Sequence, residues 1–163
     1  MADVEFRFTL EDFISARKLD KITITKRKQI ESKVKDIVLT EVIEKMGEGV
    51  SPVTGRKIKK KFKKLSEDYL IKKEELGGTP EANLELSGDL KNSLRVKKKG
   101  DELILTVLSD QQPKADGHNN FSGKSSLPER KFIPNAKKGE TFSRDIRDTI
   151  KSFIETEIEL EDI

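Results

Sequence analysis

The sequence of 163 residues contains no cysteine. This absence excludes disulfide bridges, a thiolate nucleophile and any metal site with cysteine ligands. No run of about 18 apolar residues occurs, as a membrane-spanning helix would need, and the start Met1-Ala2-Asp3-Val4-Glu5 lacks the basic and apolar regions of a signal peptide. We therefore expect a protein that is made and assembled in the cytoplasm and does not enter a membrane.

The sequence also lacks the arrangements of residues that form known kinds of catalytic site. The single histidine, His118, has Asp116 and Asn119 nearby, but this set lacks the partners and spacing of a metal site or a catalytic base. No Gly-x-Ser-x-Gly elbow occurs, and the glycine and hydroxyl positions of a phosphate-binding loop are missing around Gly55. The sequence predicts a protein that is not an enzyme and has no cofactor and no metal.

Charge is abundant, and its two signs are separated along the chain. Charged residues make up 39% of the sequence and hydrophobic residues only 33%, with a net charge of +3. A basic run covers residues 56–64 and consists of Arg56, Lys57, Lys59, Lys60, Lys61, Lys63 and Lys64 around two apolar residues. An acidic stretch covers residues 155–162. One interpretation is that both runs are solvated surface. The other is that they form contacts with partners, in which case the basic run binds an acidic neighbour or DNA.

Hydrophobic periodicity predicts a long amphipathic helix in the N-terminal half. Its apolar positions recur at steps of three and four residues and are Ile30, Val34, Ile37, Val38, Val42 and Met46. Thr25 is the expected N-cap, and Gly47 and Gly49 end the pattern. Ser143 is the expected cap of a C-terminal helix with Ile146, Ile150, Phe153, Ile154 and Ile158 on one face. The end of that helix also alternates like a strand.

The remaining segments predict a small antiparallel sheet. Residues 1–20 form an N-terminal extension with a strand at Val4, Phe6 and Phe8 and a short helix capped by Thr9. A short helix over residues 87–94 precedes a β-hairpin, whose strands 94–98 and 103–108 flank Gly100-Asp101. Together these elements predict one α+β domain over residues 1–163, with the long N-terminal helix and the C-terminal helix packed on the sheet.

Three further segments show no hydrophobic periodicity. Residues 51–55 read as a turn because they contain Pro52 and Gly55. Residues 109–126 are rich in Gly, Asn, Ser and Asp and are expected to form a long exposed loop that becomes ordered against a partner, with Phe121 as its anchor. The next segment, through Pro134, is expected to be extended.

Three short motifs, in this order, resemble the tail-completion or virion-morphogenesis (neck) family of tailed bacteriophages. They are Leu84-Glu85-Leu86-Ser87-Gly88-Asp89-Leu90-Lys91-Asn92-Ser93-Leu94, then Ala115-Asp116-Gly117-His118-Asn119-Asn120-Phe121-Ser122-Gly123, and last Leu127-Pro128-Glu129-Arg130-Lys131-Phe132-Ile133. The order of elements matches from about Thr25 to about Ile154. Departures are Lys114 in place of a tyrosine, one extra residue between His118 and Gly123, and Lys131 in place of a frequent proline.

The resemblance implies a structural protein of the virion. It implies a homo-oligomeric ring at the head-tail junction that joins the DNA-filled head to the tail and contacts head-connector (adaptor) and tail-terminator or tail-tube proteins, with DNA passing through the lumen. His118, Asn119, Phe121, Arg130 and Phe132 are the expected contact residues. The alternatives are a tail terminator, a head-closure (connector) protein, or a basic nucleic-acid-binding module.

Overall fold

The computed structural model of the protein describes residues 3–55, 89–125 and 130–161. Their helices and strands follow the chain in the order β1 Glu5–Phe8, α1 Ala16–Leu19, α2 Ile24–Gly47, β2 Val53–Thr54, α3 Asp89–Asn92, β3 Leu94–Lys99, β4 Glu102–Val107, α4 Gln112–Asn119, β5 Thr141–Phe142 and α5 Arg144–Glu161. Short 3-10 turns occur at Leu10–Asp12, Ser109–Gln111 and Ala136–Lys138. The predicted α+β class is confirmed.

The larger sheet has three antiparallel strands in the order β1-β4-β3. β1 pairs with β4 so that Phe6 faces Leu105, and the hairpin of β3 and β4 pairs Val96 with the same Leu105. Gly100 sits at the hairpin turn with φ of 61°, a conformation that favours glycine. The strand at residues 4–8 and the hairpin are therefore confirmed. A second, two-stranded sheet joins β2 to β5.

α2 covers the inner face of the sheet, and α5 packs on α2 in the antiparallel direction. α2 packs on α5, β3 and β4, and Ile30, Val34, Val38, Val42 and Met46 are all fully buried along it. The ion pairs Lys26–Glu157 and Lys45–Asp145 join opposite ends of α2 and α5. Both predicted helices are confirmed, and α5 continues as a helix to Glu161 rather than changing to a strand.

The start of α2 differs from the prediction by two residues. The N-cap is Thr23, whose Oγ1 accepts a hydrogen bond of 3.0 Å from the Lys26 N–H, and Thr25 lies inside the first turn. Ser143 directly precedes α5 as predicted, and its backbone oxygen accepts from the Arg147 N–H. Its hydroxyl has no hydrogen-bond partner among the residues that the structure describes, so the side chain does not cap the helix.

A charged network ties the N-terminal extension to α2 and β3. Arg27 donates to both carboxylate oxygens of Glu11, at 2.6 and 2.9 Å, and lies 3.4 Å from Glu31. The hydrogen bond from Arg27 lowers the pKa of Glu11 to about 2. Lys98 reaches the buried Glu31 at 2.9 Å. Each charge in this network therefore has a partner, as burial of a carboxylate requires.

Two expected loops contain regular structure. Residues 51–55, predicted as a turn, include β2, and Ser51 is buried with its hydroxyl donating to the Lys131 backbone oxygen at 2.6 Å. Residues 109–126, predicted as a long exposed loop, contain a 3-10 turn and α4, so this prediction is wrong. Among the described residues no helix is long and apolar enough to cross a membrane.

Candidate functional site

The second and third sequence motifs meet in the structure at Asn119. This residue is the last of α4 and is fully buried. Its Oδ1 accepts the backbone N–H groups of Phe132 and Ile133 at 2.8 and 2.9 Å, and its Nδ2 donates to the Ala115 backbone oxygen at 2.8 Å. One amide side chain thus satisfies three backbone groups. Two of them belong to residues that follow Asn119 by 13 and 14 positions in the sequence.

His118 adds a backbone link to the same junction. Its carbonyl oxygen accepts the Arg130 N–H at 2.9 Å. Burial lowers the pKa of its imidazole from 6.5 to about 4, with smaller contributions from the charges of Arg130 and Lys114. The ring is therefore neutral at pH 7, and its buried Nδ1 has no hydrogen-bond partner among the described residues.

The five expected contact residues occupy different environments. Asn119 and Phe132 are fully buried inside the chain, and Arg130 is 8% exposed. Phe121 is half-buried and packs against the core, and His118 is partly buried. The structure brings these residues together, but Asn119 and Phe132 hold the subunit's own segments in place. The expectation that these two side chains meet a partner is therefore corrected.

The turn after α4 is closed by its own side chains. Asn120 adopts the left-handed conformation, with φ of 55°, and its backbone N–H donates to the Asp116 oxygen. The Asp116 carboxylate accepts from the Ser122 N–H at 2.8 Å and from its hydroxyl at 2.7 Å. These contacts join residues 116–122 to one another within the subunit.

A buried ion pair lies next to this junction and was missed by the sequence analysis. Lys131 contacts Glu140 at 2.8 Å, with both side chains less than a tenth exposed, at 4% and 6%. Glu140 also accepts the Asn135 N–H at 3.0 Å. No spacing in the sequence distinguishes these two residues from ordinary surface charges, so nothing local could have identified them.

The charged runs have separate outcomes. The basic run of residues 56–64 lies outside the described residues. Part of the acidic stretch is engaged within the chain, because Glu157 contacts Lys26 at 2.8 Å and Lys33 at 3.7 Å, and Glu155 contacts Lys18 at 3.7 Å. These carboxylates are therefore less available to a neighbour than expected.

A cavity lies beside β1, and the described residues contain no cluster of side chains that could hold a metal ion. This cavity of about 360 Å³ lies between β1, the turn after α4 and the segment from Asn135 to Lys137. Acidic Asp3, Glu5 and Asp116 and basic Arg7 are among the residues that line it. No group of three or more His, Asp or Glu side chains that could hold a metal ion occurs in the described part of the chain.

Comparison with known proteins gave no relative: no family model, curated protein or solved structure matches this chain.

Proposed function

We propose that this protein is a structural component of a tailed-phage virion, which forms a homo-oligomeric ring at the head-tail junction and joins the DNA-filled head to the tail. Its partners are copies of itself, a head-connector (adaptor) protein on one side and a tail-terminator or tail-tube protein on the other. The subunit acts by its shape and contacts and not by catalysis.

The observation that carries the proposal is the junction at Asn119. The family resemblance rests on the order of three short motifs, each weak alone. Two of them, containing His118-Asn119 and Arg130-Lys131-Phe132, are joined by one backbone hydrogen bond and by two hydrogen bonds from backbone N–H groups to the Asn119 side chain. The remaining motif leads through α3 into the hairpin of β3 and β4, as the resemblance implies. Residues that match a family pattern and also depend on one another physically support a shared fold better than separate matches do.

The arrangement of helices is compatible with this role. α2 has 24 residues and is about 36 Å long at 1.5 Å per residue, which exceeds what a six-residue strand spans. Half-buried Ile37, Leu39 and Ile43 pack at the margins of the core. A ring neighbour that covers this helix would complete the burial of these side chains.

The proposal is tested in the phage whose genome encodes the chain. A conditional nonsense mutation in the gene should produce filled heads and separate tails, and addition of the purified protein should restore joined particles. Cryo-electron microscopy of the joined particles should place a ring of this subunit at the junction. Normal particles without the protein, or density for it on the capsid surface or the tail tip, would contradict the proposal.

A nucleic-acid-binding module is the second candidate, favoured by one feature of the sheet. Arg95, Lys97 and Lys99 alternate along β3 and are all exposed, so three cations lie on its outer face. Duplex DNA binding by the isolated protein, weakening steeply with salt, would favour this candidate. Binding that Lys97→Glu abolishes would assign it to β3.

A further inference from the structure

The two edges of the larger sheet differ in chemistry. The edge formed by β3 carries Lys97, Lys98 and Lys99 in succession. Consecutive lysines on an edge strand oppose pairing with another strand, because pairing would bring their charges together. The other edge is β1, and in the described part of the chain no strand pairs with its outer side. Of the two edges, β1 is therefore the one without a run of cations.

The hydrogen bonds around Val4 define which backbone groups of β1 face outward. The Val4 N–H donates to Gln112 Oε1 at 2.7 Å, and Gln112 Nε2 donates to the Val107 oxygen at 3.2 Å, so the amide side chain bridges β1 to β4. The backbone groups of Val4 thus face β4, as do those of every second residue after it. The N–H and C=O groups of Glu5 and Arg7 consequently face away from the sheet.

A cavity lies beside Asp3, Glu5 and Arg7, and its other side is formed by the turn after α4 and by Asn135, Ala136 and Lys137. The cavity of about 360 Å³ runs along Asp3, Glu5 and Arg7, the alternate residues whose backbone faces outward. The side chains of Glu5 and Arg7 keep substantial exposure, 32% and 45%, and their mutual contact is long, at 3.4 Å. Both side chains can therefore turn to an incoming strand without breaking a buried contact.

We propose that β1 pairs with β1 of a second copy of this chain, antiparallel and centred on Phe6. In that register Glu5 of one copy lies opposite Arg7 of the other, at both ends of the pair. The outward N–H and C=O groups of these residues form the hydrogen bonds, and their side chains form two cross-strand ion pairs. The result is a continuous six-stranded sheet in the order β3-β4-β1-β1-β4-β3.

The charges of β1 select a second copy as the occupant. A strand that complements Glu5-Phe6-Arg7 in the antiparallel direction must present an acidic, an apolar and a basic residue in that order, and Glu5-Phe6-Arg7 is itself such a sequence. A shift of two residues places Glu5 against Glu5 or Arg7 against Arg7, which is unfavourable. Electrostatics therefore fixes both the partner and the register.

This contact has two-fold symmetry, whereas the contacts around a closed ring join different surfaces of neighbouring subunits. The pairing through β1 thus goes beyond the proposed function, and either can fail without the other. It predicts that the full-length free subunit forms a dimer of two 18.5 kDa chains.

Sedimentation velocity of the purified full chain over a range of concentrations tests the dimer. Arg7→Glu places glutamates opposite each other, and we expect it to weaken dimerisation about tenfold or more. Glu5→Arg should act in the same way, and the double variant Glu5→Arg/Arg7→Glu should dimerise again because each pair regains opposite charges. Lys97→Glu on the other edge should leave the dimer unchanged. Circular dichroism and urea unfolding verify that each variant is folded.

Introduced thiols test the register, because the natural chain has no cysteine. Hydrogen-bonded antiparallel pairs hold their Cα atoms about 5.5 Å apart, which fits a disulfide. Glu5→Cys mixed with Arg7→Cys should give a disulfide-linked dimer, and neither variant alone should do so efficiently. A wild-type chain that stays monomeric, a dimer unaffected by Arg7→Glu, or preferential linkage of Glu5→Cys to itself would overturn the proposal.

Discussion

Asn119 shows how a single side chain can hold two segments of a small subunit together. Its amide accepts two backbone N–H groups and donates to a third backbone group, all in a fully buried position. Because water cannot reach these groups, their loss is not compensated by solvent. A polar residue that reads as surface in the sequence thereby becomes a central part of the interior.

We predict that Asn119→Ala lowers the free energy of unfolding by about 3 kcal/mol, since it leaves the N–H groups of Phe132 and Ile133 buried and unpaired. Urea unfolding followed by circular dichroism measures the change. Asn92→Ala, at an exposed position, is the matched control and should change stability by no more than about 0.5 kcal/mol. A loss at Asn119 as small as that of the control would refute this role.

His118 should make the subunit sensitive to mild acid. Its pKa is about 4 in the folded chain, against 6.5 ordinarily, because burial disfavours the charged ring. Between these values the unfolded chain binds a proton that the folded chain does not, so stability falls as pH drops from about 6.5 toward 4. This loss of stability is complete below the folded-state pKa of about 4 and is absent at pH 7.

The measurement compares the wild-type chain with His118→Gln from about pH 7 to about pH 4. We expect the wild type to lose about 1 to 2 kcal/mol more than the variant over this range, a value reduced from the full shift because the ring is partly exposed. Other titrating groups are common to both proteins and cancel in the difference. Parallel stability curves would show that the histidine does not contribute.

At the scale of elements, hydrophobic periodicity and turn residues were sufficient to predict some helices and strands but not others. α2 and α5 each place an apolar residue at every third or fourth position, and the hairpin has Gly100-Asp101 between two β-prone runs, so local sequence determines them. α4 has one buried apolar residue, Ala115, and contains Pro113 and Gly117. Its sequence has no helical period, and the helix depends on contacts with distant segments, which sequence patterns do not report.

For the candidate site, the sequence predicted which residues belong together but not what their side chains contact. The motifs identified His118, Asn119, Arg130 and Phe132 as a set, and the structure brings them together. A partner contact was expected for these side chains, whereas Asn119 and Phe132 are fully buried within the chain. The actual pairing joins residues far apart in the chain, and no local spacing encodes it.

Glu157 of α5 accepts a hydrogen bond from Lys26 of α2 in a partly buried position. This hydrogen bond lowers the pKa of Glu157, so its contribution is present at neutral pH and is lost as the carboxylate is protonated in acid. We predict that Glu157→Gln costs about 1 kcal/mol of stability at neutral pH. The exposed Glu159→Gln is the control.

Thermal or urea unfolding at low and high salt measures this contribution. The difference between the two variants should decrease in high salt, since screening weakens a partly exposed ion pair. Equal stability of the two variants at low salt would show that Glu157 does not help to hold the helices together.

At the scale of the whole molecule, charge separation connects the single subunit to assembly. Lysines of the same chain already engage Glu155 and Glu157. The basic run of residues 56–64 carries seven cations, and we favour contact with an acidic neighbour over contact with DNA, because complementary charges orient protein docking. Contact with an acidic protein and contact with DNA predict different effects of charge reversal on head-tail joining and on DNA binding.

We predict that replacing Lys60, Lys61, Lys63 and Lys64 together by Glu blocks the joining of heads to tails while the subunit stays folded. Electron microscopy of lysates counts joined particles against separate heads and tails, and circular dichroism of the purified variant reports folding. Reversal of the exposed Lys21 and Lys28 is the control for a general change of charge. If joining persisted in the fourfold variant, the basic run would not be an assembly contact. If joining failed together with salt-dependent DNA binding, the run would contact phosphates instead of protein.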